Sequence, residues 1–74
     1  MENFTRKLKM VRLARQERGL TLAQVAAQLR PPRSLTFVHR VEVGGSARIS
    51  RTVAADFARI LEGDISELFT EVER

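Results

Sequence analysis

The stretch LTLAQVAAQLRPPRSLTFVHRVE, residues 20–42, decides the fold of this 74-residue chain. Thr21 is a candidate helix N-cap, and Gln24 stands three residues further on, so the two make a capping box. The double proline must end that helix, because a residue that precedes proline is disfavoured in helical geometry. Ser34 is the next candidate N-cap. The predicted elements are a helix at about 21–29, a turn at 30–33 and a helix at about 34–43.

Apolar spacing predicts another helix before this stretch. Phe4, Leu8 and Val11 stand at i, i+4 and i+7, which is one face of an amphipathic helix. That helix is expected over residues 5–18, and Gly19 is a natural residue to end it.

Two further start signals predict helices after the stretch. Ser50 can cap a fourth helix, and the pair Asp64 and Glu67 forms a second capping box that opens a short fifth one. No segment alternates apolar and polar residues with the period of two that a strand requires. The sequence therefore predicts an all-α fold, a compact bundle of about five short helices forming one domain over residues 1–74. Five apolar residues of the last two helices are predicted to be core, with some of them also available to a dimer interface: Phe57, Ile60, Leu61, Leu68 and Phe69.

Several functions are disfavoured by composition. The chain has no cysteine and a single histidine, His39, so no cluster of metal ligands is expected. No nucleophile, base and acid stand at a spacing that would support catalysis, and no glycine-rich phosphate loop follows a strand. The sequence also has no apolar run of membrane-spanning length. We therefore expect a cytoplasmic protein that is not an enzyme and needs no cofactor.

The charges are unevenly distributed along the chain. Residues 1–51 hold eleven Lys and Arg against three acids, whereas residues 52–74 hold two Arg against six acids. A basic body with an acidic tail is typical of a protein with one surface turned toward a polyanion. A merely solvated basic surface remains the alternative.

A series of short motifs runs along most of the chain: Arg15, Arg18-Gly19-Leu20-Thr21, Val25-Ala26, Leu29, Val38-His39-Arg40-Val41-Glu42, Gly44 and Asp64-Ile65-Ser66-Glu67-Leu68-Phe69. In their order and spacing these motifs resemble the Cro/repressor-type (XRE) helix-turn-helix family of prokaryotic and phage DNA-binding regulators. The turn after the second helix is longer than in that family and lacks its turn glycine. The resemblance implies that the second and third helices bind double-stranded DNA, so that the protein is nucleoid-associated, and that the protein is a homodimer.

The resemblance also assigns roles to residues. With Val38 and Val41 facing inward, the residues of the third helix expected to face the bases are Leu35, Thr36, His39 and Arg40. The residues expected to contact phosphates are Thr21, Leu22, Ala23, Arg30, Arg33, Ser34, Ser46, Arg48 and Arg51. In the family, an arginine near the end of the first helix pairs with a glutamate of the third. Arg15 and Glu42 are the matching residues, and their expected role is structural.

The leading interpretation is a sequence-specific transcriptional regulator, a small repressor that occupies an operator through the major groove. The alternative is a protein-interaction module that reuses the fold, such as an antitoxin-like or adaptor partner. Leu35, Phe37 and Val43 keep that alternative open, because exposed apolar side chains suit a protein partner. Binding of DNA or RNA through charge alone is a third possibility. The sequence leaves the operator itself open.

Overall fold

A computed structural model describes residues 3–7, 9–43 and 48–72. Within these residues the chain forms five helices and three strands. In chain order they are β1 (Asn3–Arg6), α1 (Met10–Glu17), α2 (Leu22–Gln28), α3 (Leu35–Val43), β2 (Ile49–Ser50), α4 (Arg51–Leu61), α5 (Ile65–Leu68) and β3 (Phe69–Val72).

The three strands form one antiparallel sheet in the order β2-β1-β3. Phe4 of β1 lies opposite Ile49 of β2, and Arg6 lies opposite Phe69 of β3. Phe4, Ile49 and Phe69 are all buried, so this face of the sheet packs on the helices. The sheet thereby joins the first described residues of the chain to the last ones.

The prediction of an all-α fold was wrong. Thr5, which was expected to start the first helix, lies in β1, and that helix begins only at Met10. Lys9, just before it, has a left-handed backbone with φ 66°, so no helix runs through this position. Phe4 therefore reaches the core from a strand. Leu8, the middle residue of the expected apolar stripe, lies outside the described residues.

Local sequence signals determine where α1 ends and where α2 begins. Gly19 has φ 69°, a conformation that favours glycine, and its N–H donates to the carbonyl of Gln16. The Leu20 N–H donates to the carbonyl of Arg15, which completes a Schellman turn after α1. The predicted capping box is confirmed: the Gln24 N–H donates to the Thr21 hydroxyl, and the Thr21 N–H to the Gln24 side chain.

The core is centred on the ring of Phe57 in α4, which is completely buried. Phe69 of β3 meets this ring edge-on, with centroids 5.8 Å apart. Val25 of α2 and Val38 of α3 are buried in the same cluster. The five apolar residues predicted as core are all buried: Phe57, Ile60, Leu61, Leu68 and Phe69. They are therefore closed to a second chain unless the domain opens.

Candidate nucleic-acid interface

The helices α2 and α3 pack against each other across the turn that contains both prolines. Leu29, directly after α2, is already extended, with φ −68° and ψ 155°. Within the turn, the Arg33 N–H donates to the carbonyl of Ala26 in α2 at 3.0 Å. The Ser34 hydroxyl then accepts from the Phe37 N–H at 3.1 Å and caps α3. The hydrogen bond from Arg33 thus ties the end of the turn back to α2, and the Ser34 cap fixes where α3 begins.

Two residues of α4 form hydrogen bonds with the backbone at the start of this turn. Asp56 accepts the backbone N–H of Arg30 at 2.6 Å, and Arg59 donates to the carbonyl of Gln28 at 2.9 Å. Arg59 also donates to the Asp56 carboxylate at 2.7 Å, which joins the two contacts into one network. Arg59 stands only three residues from Asp56, but Arg30 stands 26 residues away, and no local pattern in the sequence indicates that second pairing.

The network lowers the pKa of Asp56. Burial of the carboxyl group acts in the opposite direction and raises the pKa, but the hydrogen bonds from the Arg59 side chain and the Arg30 N–H, with the charges of both arginines, outweigh it. The result is a pKa below the ordinary value of 3.8. Asp56 is therefore a carboxylate at neutral pH, which the network requires because all its partners are donors.

The outward face of α3 includes the four residues expected to face the bases, together with Val43. Leu35, Thr36, His39 and Arg40 are all exposed, and Leu35 keeps 49% of its surface. The opposite face, with Val38, Val41 and Glu42, is buried. An exposed face that offers one guanidinium, one imidazole, one hydroxyl and one isobutyl group can form both polar and apolar contacts with base edges.

The residues expected to contact phosphates are more scattered. Arg30, Arg33 and Arg48 are exposed, as is Ala23, whereas Leu22 is half-buried. The hydroxyls of Thr21 and Ser34 already cap their own helices. The guanidinium of Arg33 lies 4.7 Å from the Phe37 ring centroid, and that of Arg51 lies 5.1 Å from the ring of Phe4 in the sheet. Ser46, together with the expected helix-ending glycines at 44 and 45, lies outside the described residues.

The far end of α3 is held by a buried ion pair. The Arg15 Nε donates to Glu42 at 2.6 Å and its Nη2 donates at 3.2 Å, so the contact is bidentate. The side chains keep only 13% and 3% of their surfaces exposed. Arg15 also donates to the carbonyl of Leu20 at 2.8 Å, in the turn before α2. One guanidinium thus connects α1, the turn before α2, and α3.

A second arginine at this end was missed by sequence reasoning. Arg6 of β1 donates through Nη2 to the carbonyl of Val43, the last residue of α3, at 3.2 Å. A cation at a helix C-terminus also interacts favourably with the helix dipole. Arg6 falls within the range predicted for the first helix, and nothing near it in the sequence indicates a contact with α3. Only the pairing of β1 with β3, more than sixty residues away, brings it to α3.

Other kinds of site receive no support in the described ranges. There, no three His, Asp or Glu side chains are grouped so as to hold a metal ion. No helix in 3–7, 9–43 or 48–72 is both long and apolar enough to cross a membrane.

Two helices packed across a short turn, the second with an exposed polar face and a buried ion pair at its end, define a helix-turn-helix unit. The model of the helix-turn-helix domain family matches residues 9–68. The chain therefore belongs to this family, which confirms the resemblance drawn from the sequence. Membership indicates a DNA-binding regulator. No curated protein and no solved structure matches the chain.

Proposed function

We propose that the protein is a sequence-specific regulator of transcription, a small cytoplasmic repressor that binds operator DNA as a homodimer. The observation that supports this proposal is the exposed outer face of α3, which is tied to α2 just before its first residue and to α1 by the ion pair near its end. A rigidly held helix with a free polar face is what reading the major groove requires.

Each base-facing residue has a chemistry that a base edge can use. Arg40 can donate two hydrogen bonds to the O6 and N7 atoms of guanine, and Thr36 can bond a base edge or contact the methyl group of thymine. Leu35 offers only an apolar contact, which also suits thymine. His39 is exposed and can donate to guanine. Because this polar set is small, DNA shape is expected to contribute to specificity.

Phosphate contacts are assigned to Arg30, Arg33 and Arg48, to Arg51, and to the backbone N–H groups of Leu22 and Ala23 at the start of α2. Thr21, Ser34 and Ser46 complete the set proposed from the family resemblance. Neutralising about six phosphates would make log K fall with log salt with a slope of roughly −5. A measured slope near zero would contradict an interface of this kind.

The deciding experiment is selection of bound duplexes from a random library at moderate salt, followed by sequencing. We expect an enriched motif with two symmetric half-sites about one helical turn apart. Arg40→Ala should reduce affinity for the selected site by about 5- to 150-fold, corresponding to about 1–3 kcal/mol, and relax the preference at one position of each half-site.

The matched control is Arg12→Ala, which removes the same charge from an exposed position on α1. Its effect on affinity should be about twofold or less, because the charge lies off the proposed interface and is screened. Equal losses in the two variants would mean that binding depends on charge alone. No enriched motif at all would overturn the proposal of a sequence-specific regulator.

A second function is favoured by one observation. Leu35 and Val43 each keep 49% of their surface on α3, and two exposed apolar residues on one helix suit a protein partner. In that case the chain would be a protein-interaction module of the antitoxin-like or adaptor kind, and α3 would bind its protein partner. Leu35→Lys separates the two functions: binding of duplex DNA should survive with a weaker base preference at one position, because the new cation offsets the lost thymine contact, whereas binding in an apolar protein groove should be abolished.

A further inference from the structure

The side chain of Arg33 lies against the first turn of α3. Its guanidinium carbon is 4.7 Å from the centroid of the Phe37 ring, which is within the range of a cation–π contact. The backbone of Arg33 is fixed as well, because its N–H donates to the carbonyl of Ala26 at 3.0 Å. Both ends of this long side chain are therefore held in place.

The ring that contacts Arg33 is itself fixed. Phe37 is the third residue of α3, and its N–H donates to the Ser34 hydroxyl that caps the helix. Its ring also packs against the ring of Phe57, with centroids 6.5 Å apart and planes inclined by 35°. Phe57 is completely buried in the core, whereas Phe37 is half-buried. The Phe37 ring thus connects the core to a cation at the surface.

The charge of Arg33 stands where it does not stabilise the helix. The N-terminus of a helix carries a partial positive charge, which favours anions and disfavours cations. The first turn of α3 contains no acidic residue that would compensate. Between residues of the ranges 3–7, 9–43 and 48–72, no side-chain hydrogen bond or ion pair engages the Arg33 guanidinium. Its N–H donors are therefore available to an anion outside the chain.

We propose that Phe37 is a positioning residue for DNA binding, whose ring holds the Arg33 guanidinium beside the start of α3 for contact with a backbone phosphate. This role rests on the proposed function, in which Arg33 contacts a phosphate. A mobile arginine loses rotamer freedom when it binds, and that loss lowers affinity. A guanidinium that already rests on a ring loses less. Because the ring belongs to α3, the phosphate contact is placed relative to the helix that is proposed to face the bases.

A second arginine proposed to contact phosphate forms the same kind of contact. The guanidinium of Arg51, the first residue of α4, lies 5.1 Å from the centroid of the Phe4 ring. Phe4 is buried in the core, so replacing it would change the stability of the whole domain. Phe37 is half-buried, and it is therefore the position at which the effect of such a contact on DNA binding can be measured.

The test is a double-mutant cycle on binding of duplex DNA by the full chain, measured by fluorescence anisotropy over a range of salt concentrations. Arg33→Met keeps an apolar stem but removes the charge, so it should lower affinity and reduce the salt slope by about 1. Phe37→Leu keeps an apolar side chain but removes the ring, and should lower affinity by about 2- to 10-fold. In the Arg33→Met background, Phe37→Leu should change affinity by less than about twofold, because no guanidinium remains to be positioned.

Phe37→Tyr is the matched control, because it keeps a ring beside the guanidinium. Its affinity should stay within about twofold of that of the wild type. Replacement of Phe37 by pentafluorophenylalanine guards against a loss of packing: it keeps the ring but reverses the ring's quadrupole, and should lower affinity as Phe37→Leu does. In the free protein, NMR should show ring-current shifts of the Arg33 side-chain protons in the wild type and in Phe37→Tyr. These shifts should be lost in Phe37→Leu.

Two results would overturn the role of Phe37: no loss of affinity in Phe37→Leu, or an equal loss in both backgrounds, which would place the effect in the stability of α3. Phosphate contacts carry no base preference, so the cycle is measured on an unselected duplex as well as on a selected one. Coupling on the unselected duplex without an enriched motif would support Phe37 and reject the sequence-specific regulator. An enriched motif without coupling would have the opposite meaning, and a chain that binds no duplex would overturn both.

Discussion

The two ends of α3 are held in different ways. At the first end, Ser34 caps the helix and Asp56 accepts the backbone N–H of Arg30, contacts that lie at an exposed surface. At the far end, a nearly buried bidentate ion pair between Arg15 and Glu42 holds the helix, and Arg6 donates to its last carbonyl. The end next to the double-proline turn thus depends on hydrogen bonds near water, and the far end depends on charges removed from water.

The difference has an energetic consequence. Breaking a hydrogen bond at an exposed surface lets water replace the lost partner, so the cost is modest. Removing one member of a buried ion pair leaves the other charge unsolvated, and that cost is several times larger. The contacts at the far end of α3 should therefore cost more free energy to break than those at the end next to the turn. Any movement of α3 when the protein binds a ligand is expected at the end next to the turn.

Among the variants that test this comparison, Glu42→Gln should lower the free energy of unfolding most. It leaves the Arg15 guanidinium without its carboxylate in a nearly buried site, which should cost about 3–5 kcal/mol of unfolding free energy. For a domain of this size the melting temperature should fall by at least about 10 °C, measured by circular dichroism. An unchanged melting temperature would show that the pair has no structural role.

Asp56→Asn tests the other end and should have a smaller effect. The variant loses the charge-assisted hydrogen bonds from Arg59 and the Arg30 N–H, and about 1–2 kcal/mol of unfolding free energy. Urea unfolding at pH 7 measures the change. A loss equal to that of Glu42→Gln would remove the distinction between the two ends.

The pH dependence of the same variant sharpens this test. The pKa of Asp56 is lowered in the folded protein, so its contribution to stability is present above the ordinary carboxyl pKa and is lost as pH falls through the lowered value. The stability difference between wild type and Asp56→Asn should therefore shrink below pH 3.8. A difference that is constant down to pH 2 would contradict the assigned pKa.

Arg6→Met measures the contribution of Arg6 at the far end of α3 separately from that of Arg15. It keeps an apolar stem but removes the donor to the Val43 carbonyl, and should cost about 1 kcal/mol. Amide hydrogen exchange measured by NMR should accelerate in the last turn of α3 while α2 keeps its protection. Arg12→Met, which changes an exposed arginine of α1, should leave both helices unchanged.

Glu62→Gln should have the smallest effect. Glu62 pairs with Arg18 at 2.6 Å, but the carboxylate side chain keeps 65% of its surface exposed. Exposed pairs contribute between about 0 and 1 kcal/mol, so the melting temperature should change by only a few degrees at most. Because the pair has the same chemistry as Arg15 and Glu42, this variant is also the control for burial in the first prediction.

The features that the sequence predicted correctly are short-range. Thr21 and Gln24 stand three residues apart, and Ser34 caps α3 through the residue three positions further on. Such signals can be recognised in a window of one helical turn. The family resemblance was recoverable for the same reason, because it rests on short motifs in a fixed order.

The features that were missed depend on distant partners. Phe4, Leu8 and Val11 fit the spacing of a helix, and nothing nearby indicates that Phe4 instead lies beside Glu71 in a sheet. The strands are four residues long or shorter, which is too little for alternation to be visible. The contacts of Asp56 with Arg30 and of Arg6 with Val43 could not be predicted for the same reason, since each joins segments that are far apart in the chain.

The antiparallel pairing of β1 with β3 also has a consequence during synthesis. Asn3 leaves the ribosome before any of the five helices, whereas its partner Val72 is made after all of them. Arg6 lies in the same strand as Asn3 and donates to the end of α3. A nascent chain can therefore form α2, its turn and α3 early, from local contacts alone. The contact between Arg6 and the end of α3 is supported by the sheet only when translation of β3 is complete, so a chain interrupted before β3 carries α3 without its full support.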